Sequence, residues 1–228
     1  MPGAAIWDMD GVLVDSARYH FEAWKVLASE LGREFTEEQF WPNFGRRNQE
    51  VIRESFGDFP PEELERLAAH RDRIYLNLIP RQMSPLPGVL PLLEGLRKRD
   101  FRQAVASSSP YENVHTVLEA LGIKGYFSAV ITAEDVKVGK PNPEVFLVAA
   151  KRLGVRPADS VVFEDSVPGV QAAKAAGARC IAVTTSRSAA ALAEAGADLV
   201  VASLAEVSPE QVEALWRALR GQGAQPRG

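Results

Sequence analysis

Two aspartates near the start of the sequence have the type and spacing to act together on one reacting group. Asp8 and Asp10 are separated by one residue and follow the apolar run Ala4–Trp7, which is typical of a buried strand. Alternate residues of an extended chain point the same way, and Gly11 permits a sharp bend after the pair. One carboxylate is then suited to attack phosphorus and the other to act as a general acid and base, although a solvated acidic turn has the same pattern.

Further polar residues occur where later strands are predicted to end. Ser107, Glu164 and Asp165 each follow a short apolar run, and Lys140 lies in a loop. Open parallel sheets bind ligands outside the carboxyl ends of their strands, so we expect these side chains to share a cleft with the two aspartates. Taken singly, Lys140 also fits an exposed surface charge and Ser107 a strand-end hydroxyl.

Hydrophobic periodicity predicts the elements that must position these residues. Apolar residues recur at helical spacing from Ser16 to about Leu31, where Ser16 is placed to cap the helix and Gly32 to follow its end. Helical patterns continue to residue 78, and strands and helices alternate after residue 88. The further predicted helices are 37–41, 49–55, 62–78, 89–99, 111–121, 143–153, 169–176, 189–195 and 209–219, and the predicted strands are 4–7, 103–106, 129–132, 160–163, 180–183 and 199–202.

This order predicts an α/β fold with a Rossmann-like parallel sheet core and an inserted α-helical cap domain. The first strand belongs to the later sheet, so we assign the core to residues 1–14 and 86–228 and the cap to residues 15–85. The tail, residues 221–228, has no large apolar side chain to anchor it and is expected to fray.

The composition limits the class of partner. The chain has 228 residues, of which 46% are hydrophobic and 25% charged, with a formal net charge of -4. It has no excess of positive charge for nucleic acid or anionic lipid, and no run of about 18 apolar residues for a membrane span. Cys180 lies in an apolar run and is expected to be a buried strand thiol. We therefore expect a cytoplasmic monomer or weak homodimer with no nucleic-acid and no membrane partner.

Four ordered segments resemble the signatures of the haloacid dehalogenase superfamily, specifically its members with a helical cap inserted after the first signature. The first segment begins at Asp8 and reads DMDGVLVDS, and the second reads VASSS and contains Ser107. Lys140 with the proline that follows it resembles the third, and Glu164–Asp165–Ser166 with Gly169 resembles the fourth. The resemblance spans almost the whole predicted core and implies phosphoryl-transfer chemistry.

The resemblance also implies roles for the residues that touch the phosphoryl group. Asp8 is expected to attack phosphorus and form an aspartyl-phosphate. Asp10 is expected to protonate the leaving oxygen and then to deprotonate the incoming nucleophile. Ser107 and Lys140 are expected to contact the transferring group, with the lysine placing positive charge against its oxygens.

Mg²⁺ is the cofactor that the resemblance implies. Its ligands are expected to be a carboxylate oxygen of Asp8, the backbone carbonyl of Asp10 and the side chain of Asp165, with Glu164 as a ligand or as the partner of one. An all-oxygen set suits a hard ion, and the absence of a Cys/His cluster in the sequence disfavours zinc.

The predicted cap carries the candidate substrate contacts. Residues 17–24 resemble beta-phosphoglucomutases, in which a histidine at the position of His20 helps couple cap closure to the general acid/base, and Arg71 falls where those enzymes carry a lysine. Trp24 is most simply a core anchor, and the pair Arg46 and Arg47 fits either a grip on a second anionic group or a solvated basic turn. The candidate substrate and cap residues are His20, Trp24, Gly45, Arg46, Arg47, Asn48, Arg71 and Ser108.

The preferred hypothesis is a Mg²⁺-dependent phosphatase whose partner is a small phosphorylated metabolite, such as a sugar phosphate or a phosphoglycolate-like acid. The alternative is a phosphohexose mutase of the beta-phosphoglucomutase type. Pro110 and Tyr111 count against a mutase, because the mutase pattern places a lysine and an asparagine there. A second alternative is a non-catalytic binding or regulatory protein, which the intact pair of acids disfavours because binding alone does not require a nucleophile beside a general acid.

Overall fold

Six strands and ten α-helices form the part of the chain that a computed structural model describes, residues 3–221. The strands are β1 (Ala4–Trp7), β2 (Arg102–Ala106), β3 (Ala129–Ile131), β4 (Ser160–Glu164), β5 (Arg179–Val183) and β6 (Leu199–Val201). The helices are α1 (Ala17–Glu30), α2 (Glu37–Asn43), α3 (Asn48–Phe56), α4 (Pro61–Leu78), α5 (Val89–Arg97), α6 (Tyr111–Ala120), α7 (Glu144–Leu153), α8 (Val167–Ala175), α9 (Ala189–Glu194) and α10 (Pro209–Gly221).

All six strands run parallel in one sheet, in the order β3-β2-β1-β4-β5-β6. β1 lies inside the sheet and is completely buried, which explains its unbroken apolar sequence. Its side chains alternate between the two faces: Ala5 and Trp7 join one hydrophobic cluster, whereas Ala4 and Ile6 join another. The predicted α/β fold is confirmed by this sheet.

The helices α1–α4 fall in the predicted cap segment and have a hydrophobic cluster of their own. Trp24 lies in it, with ring centroids 5.5 Å from Phe35 and 6.3 Å from Phe56. Trp24 therefore packs in the hydrophobic cluster of these helices, as the sequence predicts. The division of the chain into residues 1–14 and 86–228 against 15–85 stays a prediction.

The ends of the elements match the predicted ones to within two residues, and one predicted role is wrong. Ser16 precedes α1, but its side chain makes no capping hydrogen bond, so the predicted capping role is wrong. The predicted helix over residues 89–99 ends at Arg97, and the chain then turns into β2 with Asp100 at a φ of 58°. The predicted fraying concerns residues 221–228. Those that follow Gly221 lie outside the described part of the chain.

No helix within residues 3–221 combines the length and the apolar character that crossing a membrane requires. Cys180 is fully buried in β5, as predicted, and burial raises the pKa of its thiol well above the usual value. The oligomeric state and the cellular compartment stay predictions.

Candidate active site

The nucleophile candidate Asp8 leaves the sheet directly after β1. The rings of Trp7 and Phe163, on neighbouring strands, are stacked with centroids 3.9 Å apart and planes 7° apart. The amide of Asp8 donates to the carbonyl of Phe163 at 2.9 Å, which extends the ladder by one step. Asp8 and Glu164, the next residues on the two strands, are thereby brought to the same edge of the sheet, as the sequence predicts.

Lys140 lies between these two acids, in the loop that precedes α7. Its Nζ donates to Oδ1 of Asp8 at 2.5 Å, to Oε1 of Glu164 at 2.5 Å and to the carbonyl of Ala106 at 3.4 Å. Burial by itself would lower the pKa of Lys140, but the negative charges of Asp8 and Glu164 and their hydrogen bonds raise it above its usual value. A permanent positive charge therefore faces the carboxylate that is expected to attack.

Asp8, Glu164 and Asp165 form a cluster that suits a metal ion. One carboxylate oxygen from each lies within 4.8 Å of the others, and all three residues are buried. Burial and the neighbouring carboxylates raise the pKa of Asp8 well above its usual value and that of Asp165 to about 7. Such crowding of buried oxygen donors is relieved by a hard divalent cation, so the donor set fits the predicted Mg²⁺. The predicted carbonyl ligand of Asp10 stays a prediction.

Glu164 is held from two sides. Its Oε1 accepts from Lys140, and its Oε2 accepts from the amides of Asp165 at 3.0 Å and Ser166 at 3.2 Å and from the Ser166 hydroxyl at 3.0 Å. A Cβ on Gly169 would lie 2.0 Å from this carboxylate, so only glycine leaves room for it. Because the Ser166 side chain also caps α8 through the Gly169 amide, the helix start and the acid are fixed together.

The loop after β5 supports Asp165, and the sequence reasoning missed it. The Ser186 hydroxyl donates to the carbonyl of Asp165 at 2.8 Å, and that of Thr185 to the carbonyl of Gly11 at 2.5 Å. Gly11 has a φ of 78°, and a Cβ there would lie 2.0 Å from Oδ2 of Asp165. Hydroxyl residues directly after a predicted apolar strand were the available signal, since the carboxyl ends of parallel strands share one edge.

Asp10 is held by three polar side chains. Its Oδ1 accepts from the Ser16 hydroxyl at 2.5 Å and faces Nε2 of His20 at 3.0 Å, and its Oδ2 accepts from the Ser109 hydroxyl at 3.2 Å. Burial by itself raises the pKa of Asp10, but the interactions with His20, Ser16 and Ser109 bring it below its usual value. Ser16 thus serves the acid rather than the helix end. Ser109 was not predicted as a site residue.

The protonation state of His20 follows from its second nitrogen. Arg71 Nη2 lies 2.6 Å from Nδ1 of His20, and a guanidinium can only donate. Nδ1 must then be the acceptor, which leaves the proton on Nε2 for donation to Asp10. Burial and the charge of Arg71 lower the pKa of His20, in agreement with a neutral ring, which also stacks on Tyr75 at 4.0 Å.

A cavity of about 660 Å³ opens between the core acids and the cap. Asp8, Asp10 and Ser107 line its core side, and His20 and Trp24 line it from the cap. The structure brings all the predicted substrate and cap residues to this cavity, with Ser108 on the core side. These are His20, Trp24, Gly45, Arg46, Arg47, Asn48, Arg71 and Ser108.

The two arginines of the cap loop have different partners. Arg47 Nη2 donates to the carbonyls of Val136 at 2.8 Å and Ala133 at 3.2 Å, and its Nη1 to that of Lys137 at 3.2 Å. Arg47 therefore ties the cap to the core loop before Lys140. Its predicted role as a ligand for a second anion stays a prediction.

Arg46 pairs within the cap. Its Nη1 donates to Asn43 at 2.7 Å and to Glu54 at 2.5 Å, and its Nε lies 3.4 Å from Glu50. Gly45 precedes it with a φ of 85°, a conformation that favours glycine. The guanidinium of Arg46 is thus already matched by carboxylates, which lessens its charge toward a ligand.

Two polar residues that the sequence reasoning missed connect the cap and the core beside the cavity. Asp72 of α4 accepts from Asn113 of α6 at 2.8 Å and from Asn48 of the cap at 2.9 Å. Asp72 and Asn113 both line the cavity. On a helix with charged neighbours, Asp72 has the pattern of a solvated face, so no local signal marks it.

Known proteins resemble this chain over most of its length. The family model for haloacid dehalogenase-like hydrolases matches residues 2–177. The chain is 34% identical over 220 residues to a phosphorylated carbohydrates phosphatase of Thermotoga maritima, which covers 92% of this chain and 95% of that protein. It is 32% identical over 226 residues to the beta-phosphoglucomutase of Bacillus subtilis, at 95% and 96% coverage. The crystal structure of a beta-phosphoglucomutase from Clostridium difficile matches 97% of this chain and 100% of that chain, with a TM-score of 0.88 and 30% identity.

Proposed function

Because the chain belongs to the haloacid dehalogenase-like hydrolases, we propose that it hydrolyses a small phosphate monoester, such as a sugar phosphate, through an aspartyl-phosphate. The observation that carries the proposal is the contact between Lys140 Nζ and Asp8 Oδ1, at 2.5 Å, where Asp8 faces the cavity. A relative that matches most of the chain is named a phosphorylated carbohydrates phosphatase, which supports the substrate class.

In the proposed reaction each of these side chains has one task. Asp8 attacks phosphorus, while Lys140 and Ser107 stabilise the charge on the phosphoryl oxygens. Asp10, on the same side of the cavity as Asp8, begins the reaction in its protonated form and gives that proton to the oxygen of the departing alcohol as the bond to phosphorus breaks. Asp10 then takes a proton from the water that attacks the aspartyl-phosphate, which regenerates Asp8 and releases phosphate.

Mg²⁺ would be held by Asp8 and Asp165, with Glu164 as a ligand or as the residue that fixes the cluster. When bound, the ion supplies positive charge that offsets the repulsion between the nucleophile and the phosphoryl oxygens. Within residues 3–221, the buried carboxylates Asp8, Glu164 and Asp165 face one buried lysine, Lys140, which pairs with Asp8 and Glu164. A divalent cation fits this imbalance of charge.

Removal of divalent metal is expected to abolish hydrolysis, and addition of Mg²⁺ to restore it. Because the cation relieves repulsion among buried carboxylates, millimolar Mg²⁺ is also expected to raise the midpoint of thermal unfolding of the metal-free protein. The measurements are turnover of an aryl phosphate and a thermal melt, each with chelator and with Mg²⁺. Equal turnover in excess chelator and in Mg²⁺ would contradict the proposed cofactor.

A mutase is the second candidate, favoured by the relative named beta-phosphoglucomutase. Pro110 and Tyr111 line the cavity and occupy the positions at which the mutase pattern has a lysine and an asparagine. The backbone amide of Tyr111 donates a hydrogen bond to the carboxylate of Glu134 at 3.1 Å. A carboxylate beside this position repels a second phosphate. Hydrolysis is therefore preferred.

Incubation with beta-glucose 1-phosphate, Mg²⁺ and a trace of glucose 1,6-bisphosphate is expected to release inorganic phosphate rather than accumulate glucose 6-phosphate. The two products are followed separately, by a phosphate assay and by coupled oxidation of glucose 6-phosphate. A screen of sugar phosphates and phosphoglycolate then identifies the preferred monoester. Stoichiometric isomerisation without phosphate release would reverse the preference for a phosphatase.

A further inference from the structure

A continuous line of contacts leaves the core at Asp10, crosses the cap and returns to the core at Asn113. After Asp10, His20 and Arg71 it continues from Arg71 Nη1 to Oδ1 of Asp72 at 3.4 Å. Oδ1 of Asp72 also accepts from Nδ2 of Asn113 at 2.8 Å. We call these five residues the closure relay. Its two ends lie in the core and its middle in the cap, so the whole relay exists only when the two are in contact.

The relay is shielded from water along its length. The side chain of Arg71 is 2% exposed and that of Asp72 is 14% exposed, and Asn113 is 1% exposed as a residue. Asn48 donates to the second oxygen of Asp72 at 2.9 Å, so both oxygens of the carboxylate are bonded. Asp72 thus provides the negative charge that matches the buried guanidinium of Arg71, and shielded interactions of this kind depend strongly on geometry.

We propose that Asp72 and Asn113 are positioning residues that hold Asp10 in its acid/base orientation when the cap closes; this inference rests on the proposed phosphatase function. The Asn113 amide fixes the Asp72 carboxylate, and Asp72 aligns Arg71. Arg71 in turn fixes the tautomer and the ring orientation of His20, whose Nε2–H holds Asp10. Cap opening separates α4 from α6 and releases the relay at its distal end.

The consequence is specific to the leaving group. A sugar alkoxide is strongly basic and needs a proton from Asp10 while its bond to phosphorus breaks, whereas a nitrophenolate leaves with little such help. A misplaced Asp10 therefore slows phosphoryl transfer from an alkyl phosphate much more than from an aryl phosphate. The ratio of kcat/KM for the two substrates reports the position of the acid, because kcat/KM covers the steps up to release of the alcohol.

Asn113→Asp places a second carboxylate against Asp72 at nearly constant volume. We expect kcat/KM for the fastest alkyl monoester to fall about tenfold or more, and that for 4-nitrophenyl phosphate to fall less than about threefold. Asp72→Asn, a milder change, is expected to shift the ratio in the same direction.

Asn77→Asp is the matched control, because Asn77 is exposed on the same helix as Asp72 and is not among the residues that line the cavity. Its substrate ratio should equal that of the wild type. Equal losses on both substrates in Asn113→Asp, or an unchanged ratio of kcat/KM in that variant, would each overturn the inference. Wild-type protein without turnover of any monoester would overturn the proposed function, and the inference with it.

Discussion

Asp8→Asn is expected to lower the turnover of every phosphate monoester by about a thousandfold or more while leaving the fold intact. An amide oxygen is a poor nucleophile and cannot form the aspartyl-phosphate, so the covalent route is closed rather than slowed. Lys140 keeps Glu164 as a partner at 2.5 Å, and the substitution changes neither volume nor backbone. The measurement is kcat on the best monoester, with circular dichroism to verify the fold.

The stability of the same variant has a definite sign. Burial and the neighbouring carboxylates raise the pKa of Asp8 above its unfolded value, so at neutral pH the ionised form opposes folding. Without metal, Asp8→Asn should therefore unfold at the same temperature as the wild type or higher. The difference should disappear as the pH falls below about 4, where the carboxyl is protonated in both states.

Asp58→Asn makes the same chemical change at an exposed position of the predicted cap and should leave turnover unchanged. Residual activity of Asp8→Asn within about tenfold of the wild type would exclude Asp8 as the nucleophile. If the wild-type protein binds a phosphorylated ligand but does not turn it over, the non-catalytic alternative is favoured.

Gly169→Ala is expected to reduce Mg²⁺ affinity and activity by about 10- to 100-fold each, although Gly169 touches neither substrate nor metal. A Cβ there would lie 2.0 Å from Oε1 and 2.1 Å from Oε2 of Glu164, and the backbone of α8 holds it in place. Glu164 must then move away, which breaks its bond to Lys140 and opens the cluster with Asp8. Overpacking of this kind also destabilises a fold by about 1–3 kcal/mol.

Gly125→Ala is the control for this variant. A Cβ on Gly125 has no heavy atom within 4 Å, so the residue should accept alanine without loss of metal binding or activity. Isothermal titration with Mg²⁺ and steady-state kinetics measure the two effects of Gly169→Ala separately. Unchanged Mg²⁺ affinity in Gly169→Ala would show that the position of Glu164 does not control the metal cluster.

The fold was predictable because its two periodicities are strong and local. β1 is an uninterrupted apolar run because both faces of the sheet are covered, and the helices repeat apolar residues at helical spacing. The acids Asp8, Asp10, Glu164 and Asp165 were predictable because each lies at the carboxyl end of a strand or within three residues after it. The carboxyl ends of parallel strands bring residues distant in sequence to one edge, so position along the chain was sufficient.

The remaining contacts depend on how cap and core pack, which no local pattern encodes. Nδ2 of Asn113 lies 2.8 Å from Oδ1 of Asp72, yet each residue has the sequence surroundings of an exposed helical residue. Ser16 illustrates the opposite case, since its propensity for a helix start is real, but the carboxylate of Asp10 is the stronger acceptor for its hydroxyl. The sequence around Arg47 is typical of a basic turn. The three carbonyls that Arg47 contacts are brought to it only by the packing of the folded chain.

The position of β1 inside the sheet also determines the order in which the protein can be built. Ala4 pairs with Arg102 on one side and with Ser160 on the other, so the strand that precedes Asp8 is synthesised before both of its neighbours. A growing chain must close a very long loop before the second pairing forms, and such pairings are slow because the entropy of closure precedes the contacts. The contacts of the cap helices join residues that are closer in sequence. These helices are therefore able to pack before β1 pairs with β4.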